Sequence, residues 1–551
     1  MNTNNMKALP LVASMLGDKL GVEVVIGDMK TASTDGKIIM LPALPLCAEE
    51  ELAALVNGYI DHEAAHIRHT DFEAIKNSRL NPLEKHIENT IEDWRVEHEI
   101  VKRYPGCRDH FHWLIRHFFL NDMKAEEIDS PAFSLLDYIL LTLRSWDVPE
   151  LQPQVRANAR IIDAYWPNLR EKLDQILSKI PVACSSTRDS IRFSRKIVRL
   201  IKQEAADEIL QPQEQTESGE GQNQSSSPSD SPVPLSSDSS GDDSADAQTS
   251  ADSGVQDKNP SAPKTLSDLI MVRSSELPQS FDDQLAQSIH AAQPEADTKI
   301  GVAKEGHIDK APLPEADIVQ VSASSRALRT RLQGLLQSQV LRRSRPSRYG
   351  KVSGRDLFRL AANNPKIFKK HEEVQGIDTA VHLLLDVSGS MRSRLKLATL
   401  ACFSVASALS SVAGINVGVT AFPAIEEHID YISVCPLVRH GERVTNQFNI
   451  TSHGTTPLTE ALWWVTKKLL PLPEKRKLIL LITDGEPDSE TTAKVSIREI
   501  ERMGIELLGI GINSNHLADL ISHQASITTM DELAPAMFSI LLQTLLKHRG
   551  A

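Results

Sequence analysis

The sequence predicts a multidomain protein: a mainly α N-terminal domain with a small β-hairpin, a disordered acidic linker, and a C-terminal α/β doubly wound domain. Three observations carry this. Apolar residues recur at helical spacing through most of residues 48–208. Residues 210–263 are dominated by Ser, Asp, Gly and Pro and nearly lack large apolar side chains. From residue 375, short apolar runs alternate with amphipathic stretches. The expected divisions are 1–208, a linker at 209–263, a partly ordered region with a basic helix at 264–374, and 375–551.

In chain order, Leu9, Val12, Ala13 and Leu16 lie at helical spacing and predict a first amphipathic helix. Residues 22–43, VEVVIGDMKTASTDGKIIMLPA, hold two apolar runs around Asp35-Gly36, which reads as a hairpin. Helices are expected at 48–70, 84–102, 132–145, 154–178 and 187–208. HFHWLIRHFF at 110–119 has helical apolar spacing and reads as a core helix. The linker cannot bury enough apolar surface to offset the entropy of ordering it, so it spaces two domains. In the basic stretch 321–351, Leu328, Leu332, Leu335, Leu336 and Val340 form a stripe that needs a packing partner, which favours a helix docked on the next domain or on an acidic partner over a nucleic-acid site.

In the last third, strands are expected at 379–385, 415–422, 429–434, 477–483, 505–511 and 526–530. Helices are expected at 394–412, 457–470, 489–503 and 531–547. Alternation of this kind builds a mostly parallel sheet covered on both faces.

The stretch LLDVSGSMR at 384–392 follows the first of these strands. Asp386, Ser388 and Ser390 fall at alternate positions in a tight turn eased by Gly389, at a strand's carboxyl end, where open α/β sheets place their sites. All are hard oxygen ligands, suited to Mg²⁺ or Mn²⁺. Two further loops complete a shell, HGTTPL with Thr456 and ITDGEPD with Asp484; Asp488 reads as a cap on the following helix. The D-x-S-x-S spacing with this threonine and strand-end aspartate resembles the metal-ion-dependent adhesion site (MIDAS) of von Willebrand factor A domains. That resemblance implies Asp386, Ser388, Ser390, Thr456 and Asp484 as ligands, with one coordination position left for a partner's carboxylate. The flanks, KVSGRDLFRLAANNPKIFKKHEEVQGIDTAVHLLLDVSGSMRSR, are similar to the T subunit of aerobic cobaltochelatase and its relatives. This implies an adaptor to a ring-forming AAA+ ATPase of the MoxR type, acting with a protein target.

Upstream, HEAAHIRHTDF at 62–72 begins with H-E-x-x-H. On a helix, His62 and His66 share a face and both reach one Zn²⁺, while Glu63 beside them serves as general base. The helix is amphipathic, and the run KIIMLPAL before it supplies an edge strand on which a peptide could pair. The third ligand is sought in EKHIENTIEDWRVEHEIV, where Glu88 and Glu92 lie one turn apart. The arrangement resembles gluzincins, zincin-type metallopeptidases that complete the site with a glutamate on a second helix, and Glu92 is the choice ahead of Glu88. Asp93 or Glu97 could orient a ligand histidine. His69 lies about 10 Å along the axis from His62, too far for one metal to take all three histidines. The N-terminal motif departs from the pattern of the chelatase subunit.

Composition bounds the rest. The formal charge of −13 argues against general nucleic-acid binding. The five scattered cysteines form no C-x-x-C pair and fit a reducing compartment; Cys402 and Cys435 read as buried thiols. No apolar run reaches the ~18 residues of a membrane span, and the N-terminus is a weaker pattern than a secretory leader, so a cytoplasmic protein is expected. No phosphate loop is present in the sequence, so an ATPase would be a partner. The function expected is a metal-binding adaptor joined to a zinc metallopeptidase-like domain. The alternatives are a non-enzymatic adaptor with a relic fold, and a chelatase-type subunit for metal insertion into a tetrapyrrole.

Overall fold

The computed structural model describes residues 8–120, 130–210, 265–294, 299–340, 345–347, 349, 351–352, 365, 368–370, 378–425 and 431–547. Apart from its first two residues, the expected linker at 209–263 lies outside the described residues. The chain forms two compact units. One comprises Met1–Phe72, Arg95–His117 and Gln279–Ala551, the other Glu73–Trp94 and Phe118–Pro278. Among the described residues, no helix is long and apolar enough to cross a membrane.

The second unit is helical. Helix Pro131–Ser145 starts at Ser130, whose hydroxyl accepts from the Phe133 amide. It packs against Gln152–Tyr165, and Leu169–Leu177 packs against Thr187–Leu210. The single helix expected at 154–178 is two, because Trp166, which precedes Pro167, is turned out of helical geometry (φ −140°, ψ 77°).

The first unit holds the motif helix, Glu50–His69. Gly58 lets it pass close to helix Cys107–Phe119: a Cβ there would meet Leu114 Cδ1 at 2.6 Å. The 110–119 segment therefore is core, with Phe111, Leu114 and Ile115 buried. The N-terminal β element differs from the expected hairpin. Asp35-Gly36 does turn Ser33–Thr34 back, antiparallel, onto Ile38–Pro42, with Asp35 Oδ1 accepting from the amides of Lys37 and Ile38. The first apolar run, Glu23–Gly27, instead lies parallel to Ile38–Pro42 on its other side. The connection through residues 28–34 thus crosses over rather than folding directly back.

The C-terminal sheet has seven strands in the order Gln524–Ile527, Ile505–Ile512, Arg476–Thr483, Thr379–Asp386, Ile415–Phe422, Ser433–Val438, Lys304–Glu305. Every neighbouring pair is parallel except Ile415–Phe422 with Ser433–Val438. Thr379–Asp386 is buried along its whole length, as a central parallel strand must be. From it the chain leaves to one side and later returns on the other, so its carboxyl end and that of Arg476–Thr483 flank a topological switch point. Residues 321–340 of the basic stretch are part of helix Glu315–Val340, which packs against Leu395–Ser410 and Met530–Lys547 and buries Val321 and Leu328. The leucine stripe thus has its packing partner at Leu328; the side chains of 331–340 lie outside the described residues.

Candidate metal centres

Asp386, the last residue of its strand, is fully buried. Its Oδ1 accepts from the Ser388 amide at 2.8 Å, and its Oδ2 accepts from the Thr483 hydroxyl at the end of the neighbouring strand. The hydroxyls of Ser388 and Ser390 are 3.0 Å apart, and Ser390 donates to Asp484 Oδ1 at 3.0 Å. Arg394 donates to Asp484 Oδ2 at 2.7 Å. Four of the five expected ligands thus form one connected network across two strand ends. The fifth, Thr456, arrives on a third loop, tied in by the Gly389 amide donating to Gly454 O at 3.0 Å. Gly485 marks where the loops meet: a Cβ there would lie 3.2 Å from Ser390 Oγ and 3.8 Å from Thr456 Oγ1.

Asp488 is not the expected helix cap. Ser489 caps helix Glu490–Arg502 by accepting from the Thr492 amide. Asp488 turns to the threonine loop, where it accepts from the Thr456 amide at 2.9 Å and the Thr455 hydroxyl at 2.7 Å. It fixes the backbone that presents Thr456. Burial pushes the Asp386 carboxyl up to about 6; hydrogen bonds from Thr483 and Ser388 oppose this, and the Asp484 charge adds to it. Two carboxylates and three hydroxyls on adjoining strand-end loops are a donor set for a hard divalent cation.

The second site lies on the motif helix, where His62, Glu63 and His66 are all buried. The two imidazoles meet edge to face with centroids 4.8 Å apart. His62 stands between two carboxylates: Nδ1 is 2.9 Å from Glu97 Oε1 and Nε2 is 2.5 Å from Asp282 Oδ1. His66 Nδ1 is 3.1 Å from Thr70 Oγ1. One ligand atom each from His62, His66 and Asp282 lies within 4.8 Å of the others. Burial raises the Glu63 carboxyl to about 7, and the Asp282 charge adds to this; His62, His66 and a hydrogen bond from Tyr59 oppose it. Burial, then the charges of Glu63 and Asp282, drive the Tyr59 hydroxyl upward as well.

Glu97, one of the two carboxylates that the sequence offered for orienting a ligand histidine, is the one 2.9 Å from His62 Nδ1. Glu92, expected as third ligand, is buried with its oxygens accepting from Thr187 Oγ1 at 2.8 Å and Ser190 Oγ at 2.7 Å. Glu88 is buried, and Asp93 lies 3.7 Å from the buried Arg144. His69 closes the motif helix, its carbonyl accepting from Arg95 at 2.8 Å. The carboxylate at His62 Nε2 is Asp282, on helix Phe281–Ala291, which sequence reasoning missed. Ser280, followed by Asp282 and Asp283 and an apolar Phe281–Leu285–Ile289 stripe, marks a helix start, but nothing in those letters points to a histidine 220 positions away.

A neutral imidazole has one N–H, so it cannot donate to both flanking carboxylates. An imidazolium donating from both nitrogens satisfies the two contacts, and so does a metal bound at Nε2 with Nδ1–H on Glu97, the usual support of a zinc-binding ring; two imidazoles and a carboxylate are donors that zinc accepts. The donor set therefore fits zinc.

Comparison with known proteins gives two family matches. The model described as cobalamin biosynthesis protein CobT matches residues 4–278, and that of the von Willebrand factor type A domain matches residues 380–534. Similar solved structures include the manganese-loaded TRAP protein of Plasmodium vivax (18% identity over 29% of this chain and 72% of that one, TM-score 0.23). The conserved hypothetical protein BatB from Bacteroides thetaiotaomicron is 15% identical over 31% of this chain and 99% of its own, with TM-score 0.24. Proximal thread matrix protein 1 from the mussel byssus, with a zinc-occupied MIDAS motif, is 15% identical over 30% and 48% of the two chains, with TM-score 0.24.

Proposed function

The chain is a CobT-related protein with a C-terminal von Willebrand factor A domain, and from that premise we propose that it is a metal-dependent adaptor with two metal centres. In the C-terminal centre, Asp386, Ser388, Ser390, Thr456 and Asp484 hold Mg²⁺ or Mn²⁺. Such a cation takes oxygen ligands and leaves a place for one more, here a carboxylate of a protein partner. The partner is an AAA+ ATPase of the MoxR type or the protein target that it remodels. The observation that carries this reading is the unbroken hydrogen-bond network from Asp386 through Ser388 and Ser390 to Asp484, drawn from two adjacent strand ends.

In the N-terminal centre, His62 and His66 hold zinc, Asp282 supplies a carboxylate, and Glu97 orients His62. Zinc supplies Lewis acidity toward a peptide carbonyl when bound. Glu63, with its carboxyl raised by burial, is placed to hold or accept a proton beside it. The ligand cluster is closed to solvent on the helix side, which favours an adaptor whose peptidase-like site acts only when opened.

Metal analysis and binding test this together. Asp386→Ala should weaken Mn²⁺ binding by about 100-fold or more and abolish partner capture while leaving zinc content unchanged. Capture that survives Asp386→Ala sinks the adhesion-site reading. A second reading, a cobaltochelatase-type subunit, is favoured by the family match over 4–278. It predicts restored chelatase activity when this chain replaces the T subunit beside the other chelatase subunits; no restoration rejects it.

A further inference from the structure

Resting on the reading of His62, His66 and Asp282 as a metal site, we propose that the motif helix and the strands before it bind a peptide whose helical part brings a carboxylate and whose extended part pairs with those strands, and that residues 279–294 and 299–303 of the chain fill this site in cis. Three features converge on this segment.

The first is how Asp282 reaches the histidine. His62 is wholly buried, whereas the Asp282 side chain is 35% exposed, so the carboxylate approaches Nε2 from the solvent side, as an entering ligand would. Phe281 beside it stacks edge to face on the His62 ring at 5.3 Å.

The second is backbone pairing. Lys299–Ile300 runs antiparallel to Leu44–Pro45, the short strand just before the motif helix, and the Val302 amide donates to Ile26 O at 3.0 Å. The segment adds to the N-terminal strands as a bound peptide adds to a sheet edge. Ile300 and Val302 are buried as anchors. Gly301 between them has no room for a side chain: a Cβ would lie 2.8 Å from Ile26 O. The strand-pairing part of the preferred ligand is therefore an extended apolar segment with glycine where the backbones approach most closely.

The third is where the segment goes next. The Ala303 amide donates to Glu460 O at 3.2 Å, the Lys304 amide to Ile432 O at 2.8 Å, and Lys304–Glu305 joins the edge of the C-terminal sheet against Ser433–Val434. Glu460 lies four residues beyond Thr456. The occupant of the N-terminal site is thus anchored to the domain that carries the other candidate metal centre.

The test uses the full-length chain and a fluorescein-labelled synthetic peptide of residues 279–305, followed by anisotropy. Wild type should capture it weakly because the site is filled. Gly301→Val forces the segment off Ile26 and should raise affinity about tenfold or more, with faster amide exchange over 299–303. An Asp282→Asn peptide should lose about tenfold of that gain. Exchange that shows the strand released without any gain in peptide affinity overturns the proposal. Should Gly301→Val unfold the chain by circular dichroism, full-length Asp282→Asn replaces it, with faster exchange over 281–291 and stronger peptide capture expected; no change in either overturns the proposal. Zinc content of the same preparations separates the two readings. A zinc-free wild type rejects the metal site, while tight capture by zinc-free Gly301→Val upholds the peptide site by itself.

Discussion

Among the described residues of the first unit, two histidine pairs are in contact, and their surroundings are opposite. His62 and His66 sit 4.8 Å apart, centroid to centroid, with carboxylates of Glu97 and Asp282 on both ring nitrogens of His62. His382 and His440 sit 5.1 Å apart and bond to each other, with Nδ1 of His382 2.9 Å from Nε2 of His440. Their outer nitrogens meet neutral groups: Thr420 Oγ1 at 2.9 Å and Asn416 Oδ1 at 3.3 Å. In the first pair, carboxylates flank His62 on both sides, which favours a positive charge there, a proton or the proposed metal. The second is a closed chain of neutral donors and acceptors. What separates the proposed metal site from a satisfied core pair is the charge of the groups behind the rings, not the proximity of the rings.

The largest effects should fall on the first pair. His62→Ala removes a ligand and should lower zinc affinity by more than about 100-fold, while His440→Ala leaves zinc content as in wild type. Retention of zinc by His62→Ala breaks the comparison at its root. Glu97→Gln keeps the ligands but weakens the orienting hydrogen bond, for which a 10–100-fold loss is typical, so about tenfold weaker zinc is expected in competition with a chelator dye. A comparable or larger loss in Glu92→Gln would instead support the glutamate that the sequence suggested first.

How much of this was legible depended on spacing along the chain. The strand-end ligands were readable because Thr379–Asp386 and Arg476–Thr483 are parallel neighbours whose carboxyl ends bring residues 386, 388, 390 and 484 together, and the apolar strands announce it. His62, Glu63 and His66 were readable because four residues make one helical turn. Asp282 was not, since it reaches His62 across 220 positions and its local sequence encodes only a helix start. Asp488 was misread for a related reason: a helix-preceding aspartate suggests a cap, but Ser489 already fills that role and the carboxylate is free to hold the Thr456 loop. His382 was hidden altogether, one letter inside an apolar strand, with its partner 58 residues on.

The second pair is tested by packing. Gly418 lies opposite it on the neighbouring strand, and a Cβ there would meet His440 Nε2 at 2.6 Å and His382 Nδ1 at 2.7 Å. Gly418→Ala should therefore cost about 1–3 kcal/mol by overpacking, read as a lower denaturant midpoint at unchanged slope. Zinc content should not move. A neutral outcome would mean that the two rings can separate without loss, and that their bond contributes little.

The smallest effect is on pH dependence, and its sign follows from the hydrogen-bond chain. Asn416 Nδ2 donates to Glu474 Oε1 at 2.7 Å, and its Oδ1 accepts from the Gly441 amide at 2.9 Å, which fixes that oxygen as an acceptor for His440 Nδ1–H. His440 Nε2 must then accept from His382 Nδ1–H, and His382 Nε2 from the Thr420 hydroxyl. Every nitrogen is used with both rings neutral, so an added proton has nowhere to go without breaking a bond. Burial holds His440 down to about 4, and burial together with its neighbour holds His382 well below the ordinary histidine value. Unfolded histidines titrate near 6.5, so the unfolded chain takes up protons first as pH falls. The pair's stabilisation is complete above about pH 6.5 and is lost progressively toward about pH 4, by roughly 1–3 kcal/mol. Urea midpoints of wild type and His440→Gln should accordingly converge between about pH 7 and about pH 5, the wild type losing more. Parallel curves would show that the pair is protonated in the folded state, and would remove the contrast with the carboxylate-flanked pair at His62.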